Sequence, residues 1–531
     1  MNKPNNQNNS LAIVGDGATL AVAIEKIKEY AHACNLKLIS IFSPNPTLGA
    51  GYAYSASNSK DYILNENVSI MDLSTQEPSF YNWLSNNQQA IAYDFADFSE
   101  MKPDTYFAPR AIYGQYLHDR TYTNLDYLQT TCNIECHILP YTVKRIDWDP
   151  QKELFEIHSN NHNLFHFTKV FLCTGGFQLK NTYSKLQLLP DDCYIDDHIK
   201  QSYKILNIPP QEPITIIGTG LSCYDCLMLI KRQGMPNTIN CVSRTGRMPV
   251  IKPLLNMELP DNLAVDRLKS TTNQVQLSDV IAAIDKDLQT NLPVIDPNTF
   301  PSNFNQLDQL TLHPDMADYA QQLDFQIQCI NQNQLNNYVP LYFYMRRLWL
   351  LMDVLMENCQ VDTQTHRSLR DYIEPIIMCF RAPLPLITGQ IIQNLMDNNQ
   401  VTFYFGIASY SVEQSNTHTQ AHFFDQNKTL LSSSKYVINT TGGNNIIEDF
   451  QAIEYLKDLY QTGLIRPFKQ DNIQLGGLDF DPQTGRLIDQ DGQANKNIFA
   501  GGQLLKGRQF NSNGVPLLKR LLDNTIKTLI D

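Results

Sequence analysis

Two short glycine turns carry the clearest chemistry in this chain. Gly218-Thr219-Gly220 closes the apolar run Ile214 to Ile217 and opens a helical pattern, and a second strand-like run then ends at Ser243-Arg244. Such a turn lets bare backbone approach a pyrophosphate. The helix behind it, with Ser222 in its first turn, offers unpaired N–H groups and a positive dipole end to the phosphate oxygens. Gly15-Asp16-Gly17, inside Leu11 to Pro44, repeats the same order of strand, turn, helix and strand. One GxG turn is weak evidence, but two copies, each in a unit of βαβ length, are hard to obtain from ordinary turns. The spacing predicts two nucleotide sites.

The ends of the second strands should carry the groups that read the ribose. An acid there accepts from the 2′-hydroxyl, whereas arginine or serine welcomes a 2′-phosphate. Ser243, Arg244 and Arg247 therefore point to NADPH rather than NADH at the second site. At the first site Phe42-Ser43-Pro44 stands where the acid is expected, and Ser43 is the candidate for a weaker ribose hydrogen bond. The third glycine, which permits close helix–strand packing, is replaced by Leu20 in the first motif and Cys223 in the second.

Other residues could act nearby. Arg110, at the start of a Pro-initiated helix in the segment Phe107 to Leu117, offers a forked, permanent cation for a substrate carboxylate or a cofactor, with a helix-start salt bridge as the alternative. Asn65 could donate to a cofactor's edge or cap its own loop. Cys223 and Cys226 form a CxxC whose first member also occupies the third-glycine position, so packing accounts for it as well as redox chemistry does. His418 and His422 have metal-site spacing but lie in a polar stretch, where a surface loop or strand is the better reading.

The elements that must position these groups are legible in outline. Gly49-Ala50-Gly51 follows the first unit and can lie flat against a bulky ligand. Strand runs end at Cys173-Thr174-Gly175 and again at Asn439-Thr440-Thr441-Gly442, each read as a crossover beside a nucleotide. Gly501-Gly502 ends a late strand before the final helix from about Leu517. Leu341 to Met356 is apolar apart from Arg346, Arg347 and Asp353 and predicts a buried helix in a helix-rich insert. The expected fold is α/β. Residues 1–9 form a floppy tail, 10–208 and 385–531 two parts of one domain, and 209–384 an inserted domain with the helical cap.

Composition narrows the function. At 531 residues, with 42% hydrophobic and 10% aromatic content, the chain is long enough for several packed cores. Forty-one basic against 54 acidic residues give a net charge of −13, which opposes general nucleic-acid or anionic-membrane binding. No apolar run is long enough for a membrane span, and the polar start lacks a secretion signal. Eleven scattered cysteines fit reduced thiols in a cytoplasm. The expected partner is a small molecule, with homo-oligomerisation left open.

Taken in order, these residues resemble the flavoproteins with two dinucleotide-binding domains. The nearest groups are bacterial FAD/NAD(P)-binding proteins with GaGxaY, LLN…M and F-x-PR-x-x-YG-x-YL segments. More distant are the N-hydroxylating flavin monooxygenases. The matches are Gly15, Gly17, Gly49 to Gly51, Asn65, Met71, Pro109-Arg110, Tyr113-Gly114, Tyr116-Leu117, Thr174-Gly175, Gly218, Gly220, Thr441-Gly442 and Gly501-Gly502. The resemblance implies two Rossmann-like domains, a discontinuous one for FAD and an inserted one for NADPH. It places Met71 and the glycine segments at the cofactors and Arg110 near flavin or substrate. It also implies a monooxygenase acting on an amine or amino-acid-like small molecule. The chain lacks the FxGxxxHxxxW signature of Baeyer–Villiger enzymes, and Lys435 and Tyr436 precede the second crossover where N-hydroxylating enzymes place an aspartate. Two rival readings remain: a sensor or scaffold with degenerate nucleotide sites and no turnover, and a flavin disulfide reductase using Cys223 and Cys226.

Overall fold

The computed structural model describes residues 9–74, 78–87, 102–175, 183–271, 274–414, 419–441, 453–510 and 514–531. Two sheets form the frame. The first has six strands in the order Arg486–Ile488, Ala494–Ala500, Lys169–Leu172, Ser10–Val14, Leu38–Phe42 and Glu135–Leu139, all paired in parallel except at the Arg486–Ile488 edge. The second is parallel throughout, in the order Val401–Phe405, Ile239–Ser243, Ile214–Ile217, Tyr436–Asn439 and Tyr194–Ile195. Ser10–Val14 and Ile214–Ile217, the strands before the two glycine turns, are buried along their whole length, as expected where helices or loops cover both faces of a parallel sheet.

The two sheets follow one plan. In each, the strand leading into the glycine turn (Ser10–Val14 or Ile214–Ile217) is central, the next two strands that join its sheet on that side lie to one side of it, and the strand on the other side arrives from a three-stranded antiparallel meander. The meanders are Val143–Asp149, Leu154–Ser159 and Leu164–Phe167 in the first domain, and Ser409–Gln414, Thr419–Phe424 and Leu430–Ser434 in the second. This is the α/β architecture of two Rossmann-like domains that the sequence predicts, with the first built from both ends of the chain.

The expected boundaries need correction. Tyr194–Ile195 already joins the second sheet, and so do Val401–Phe405 and Tyr436–Asn439. The second domain therefore extends to 439 instead of ending at 384. Its third strand follows the insert in sequence, so the joint near 385 is internal to the domain. Of the tail expected at 1–9, Asn9 alone lies within the described residues.

The insert has a core of its own. Tyr338–Glu357 is a helix whose Leu341, Tyr344, Met345, Leu348, Leu351, Met352 and Leu355 are buried at spacings of three and four, as predicted for Leu341 to Met356. Leu277–Lys286 and Glu374–Arg381 close around it. Met316–Asn331, capped by Asp315 through the backbone N–H of Asp318, instead packs with Leu386–Asp397 against the second sheet. The insert is pinned to the first domain by polar groups. Glu66 pairs with Lys252 and with Arg346 at 2.8 Å, and Arg370 donates to the Leu475 carbonyl at 2.7 Å.

Candidate active site

In the first domain the glycine turn closes against two other backbone segments. A Cβ on Gly15, whose φ is +130°, would stand 2.4 Å from the carbonyl oxygen of Cys173, and one on Gly51 would stand 2.6 Å from the Cα of Gly17. Gly49 donates its N–H to the Asp16 carbonyl at 2.8 Å, which lays the Gly49 to Gly51 loop across the turn. Gly501 and Gly502 approach Thr19 at the head of the helix Ala18–Glu29. That helix begins at Gly17 with no side-chain cap, so its first N–H groups have no side-chain acceptor and stand among close-packed glycine backbone, the donor set a pyrophosphate requires. Leu20 is fully buried in the core beneath and does not intrude on the turn. Thr174 bonds to the Tyr455 hydroxyl at 2.7 Å beside Gly175. Met71 is buried in the core.

Ser43 departs from its expected role. It is 1% exposed, and its hydroxyl shares its one proton between Asp16 Oδ2 at 2.9 Å and the Asn45 carbonyl at 2.8 Å while accepting the Asn45 N–H at 3.0 Å. A short hydroxyl side chain at a strand end satisfies its own loop. It does not reach outward to a ribose.

The second turn has the same shape. Gly218 has a φ of +100° and lies against Thr440 and Thr441, and Gly220 starts the helix Leu221–Arg232, again with no side-chain cap. Ser222 is half-buried in the first turn of that helix. Cys223 packs into the core with its sulfur 3.6 Å from that of Cys241. Of the three residues expected to read a 2′-phosphate, Arg244 alone is exposed and has no ion pair among the described residues. Ser243 donates to the Thr245 carbonyl, and Arg247 is clamped by Asp308 and Thr311 from the insert. Thr441 hydrogen-bonds Asn439 at 2.8 Å, whereas Gly442 lies outside the described residues.

The two domains meet at a cleft lined by Asn65, Arg110, Leu221, Asp225, Pro385 and Thr388 among others. Arg110 opens the helix Arg110–Thr130 and pairs with Asp225 of the second domain at 2.9 Å, its Nε donating to the Ile63 carbonyl at 3.1 Å. Arg110 thus makes a salt bridge, and it runs between the domains. Burial pushes the Asp225 carboxyl up, against the pull of Arg110 and His198, and its net shift is upward. Burial likewise pushes His198 down, and its Nε2 has no partner among the described residues. Among the described residues, the half-buried Asn65 has a free amide and the buried Thr388 hydroxyl has no partner. Asp16, Asp225 and Thr388 escaped sequence reasoning. Only Asp16 carried a signal, an acid inside the first glycine turn.

The other candidate chemistries are not assembled. Cys223 and Cys226 are fully buried, and burial holds the Cys226 thiol well above its ordinary value, the reverse of a reactive dithiol. His422 faces Glu413 at 3.2 Å in the second meander, His418 lies outside the described residues, and no cluster among the described residues could hold a metal ion. No helix among them is long and apolar enough to cross a membrane.

The model of the FAD-NAD(P)-binding family matches residues 12–177. No curated protein matches the chain. Among solved structures, the chain is similar to the ornithine hydroxylase PvdA of Pseudomonas aeruginosa, at 12% identity over 98% of both chains with a TM-score of 0.52. It is similar to L-lysine 6-monooxygenase of Pseudomonas syringae, at 14% identity over 98% of this chain and 100% of that one with a TM-score of 0.52. The ornithine N-hydroxylase of Kutzneria sp. 744, solved with reduced FAD, NADP+ and L-ornithine, gives 11% identity over 98% of both chains and a TM-score of 0.51. The chain therefore carries a FAD-NAD(P)-binding domain at residues 12–177, within a two-dinucleotide-domain fold shared with the N-hydroxylating flavin monooxygenases.

Proposed function

We propose that this protein is a FAD-dependent, NADPH-using monooxygenase that oxygenates an amine or amino-acid-like small molecule. The observation that carries this reading is the pair of uncapped glycine turns on equivalent sheets, with the second helix and the Arg110 helix meeting at one cleft. FAD and NADPH, when bound, supply hydride transfer and oxygen activation, so the protein must orient them, exclude water and manage charge. Leu64, Leu221, Met228 and Leu384 give the cleft apolar walls. Arg110 is a positioning residue that fixes one domain against the other through Asp225. Asn65 and Thr388 present free hydrogen-bonding groups to whatever enters. Titratable groups with shifted protonation beside a cleft fit a catalytic centre.

The visible spectrum of the purified protein, before and after anaerobic NADPH addition, tests the reading. A flavin spectrum that bleaches with NADPH, followed by oxygen uptake that rises with an amine or a basic amino acid, is the expected result. A colourless protein that takes up no added FAD would overturn it in favour of a non-catalytic nucleotide binder.

A further inference from the structure

In both domains the middle residue of the glycine turn reaches the loop after the second strand. Gly15 donates its N–H to the Phe42 carbonyl at 3.2 Å, and Gly218 to that of Val242 at 2.8 Å, so each turn is tied to its strand end. Asp16 Oδ2 accepts from Ser43 Oγ at 2.9 Å and from Asn45 Nδ2 at 2.6 Å. Thr219 Oγ1 donates to the Arg247 carbonyl at 3.3 Å. The strand end is where a dinucleotide's ribose is read. In the first domain the strand itself supplies a buried serine, and the turn brings a carboxylate to the same place. Asp16 is only half-buried, has no ion pair among the described residues, and keeps Oδ1 free while Ser43 and Asn45 hold Oδ2. A carboxylate accepts several hydrogen bonds at once, so the held oxygen orients the free one.

We propose that Asp16 is the ribose-reading acid of the first site, delivered by the turn instead of the strand end, and that neutral Thr219, which reaches the Arg247 carbonyl in the loop that carries Arg244, opens the second site to a 2′-phosphate. The inference rests on the two-nucleotide reading above. It assigns the first site to a nucleotide with a free 2′-hydroxyl, because a carboxylate there accepts from that hydroxyl and repels a phosphate.

The test uses full-length protein freed of flavin by dialysis and titrated with FAD, ADP and 2′-deoxy-ADP. Wild type should bind ADP roughly ten-fold or more tightly than 2′-deoxy-ADP, the usual weight of a hydrogen bond to a charged group. Asp16→Asn, which can still accept from Ser43, should lose most of that discrimination. Ser43→Ala, which keeps the carboxylate, should retain it. Equal weakening of both nucleotides in Asp16→Asn would reduce Asp16 to a loop support and overturn the proposal, as would unchanged discrimination. In Thr219→Asp the preference for NADPH over NADH should fall roughly ten-fold or more. An unchanged preference would overturn the second half. Wild type that binds none of these nucleotides would overturn the two-nucleotide reading itself, a failure distinct from either variant's.

Discussion

At the scale of single residues, commitment to a protein partner decides which polar groups remain free for ligands. Arg244 is exposed and has no ion pair among the described residues, whereas Arg247, three residues on, is held by Asp308, 61 positions away. Arg244→Ala should therefore raise the Kd for NADPH about ten- to hundred-fold and leave that for NADH nearly unchanged, because a charge-assisted contact to the 2′-phosphate is lost. Titration of NADPH and NADH against flavin fluorescence would show it, and equal effects on both would remove Arg244 from this role. The sequence placed these arginines at a strand end correctly. It could not show that an insert helix would fold over one of them, nor that Ser43 would turn inward to Asp16. Glu66 makes the same point for electrostatics. Burial raises its carboxyl, but Arg346 and Lys252 outweigh burial and hold it below the ordinary value of 4.5. Its folded pKa is thus depressed, so its stabilisation is present above the ordinary carboxylate range and is lost as pH falls through the folded value.

At the scale of elements, the insert is a separate packing unit that rests on the nucleotide domains. Leu348 is fully buried at the centre of its long helix, so Leu348→Ala should cost about 2–5 kcal/mol. Flavin content should be preserved, because no part of the first glycine turn belongs to that core; calorimetry and the visible spectrum read the two effects separately. The docking contact is also sensitive to acid. His366, fully buried, faces the Gly507 carbonyl at 3.0 Å, and burial, reinforced by Arg370 and Arg367, lowers its pKa to about 4. The unfolded chain protonates this imidazole near 6.5 while the folded chain resists until about 4. Its contribution is present above the unfolded value and is lost as pH falls between the two, by about 3 kcal/mol at most. Melting temperatures of wild type and His366→Gln should converge as pH is lowered through that window. The long apolar helix was legible in the sequence because its three-and-four spacing is local. The membership of Val401–Phe405 in the second sheet was not, because parallel pairing joins it to Ile239–Ser243 across the whole insert. A period-based reading sees the strand but has no access to its partner.

At the scale of the whole molecule, function requires two nucleotide domains held in one fixed relation, and the Arg110–Asp225 pair is a charged link between them that lines their cleft. Removing one member of a buried pair is more damaging than removing both, since the survivor keeps its desolvation cost without its partner. Arg110→Ala should destabilise the protein by about 3–5 kcal/mol, whereas Arg110→Met with Asp225→Leu should recover much of that loss. The sign of the pH dependence follows from Asp225. Its folded pKa is raised by burial and restrained by Arg110 and His198, so without the arginine it rises further. A carboxyl with a raised folded pKa is well tolerated while protonated, and its stability contribution is lost as pH rises through the folded value. The deficit of Arg110→Ala relative to wild type should therefore be large at neutral pH and shrink as pH falls towards the ordinary aspartate range. Denaturant titrations at two pH values would measure it. A deficit independent of pH would mean that Arg110 acts by packing alone, and the domains would then owe their alignment to the apolar walls of the cleft.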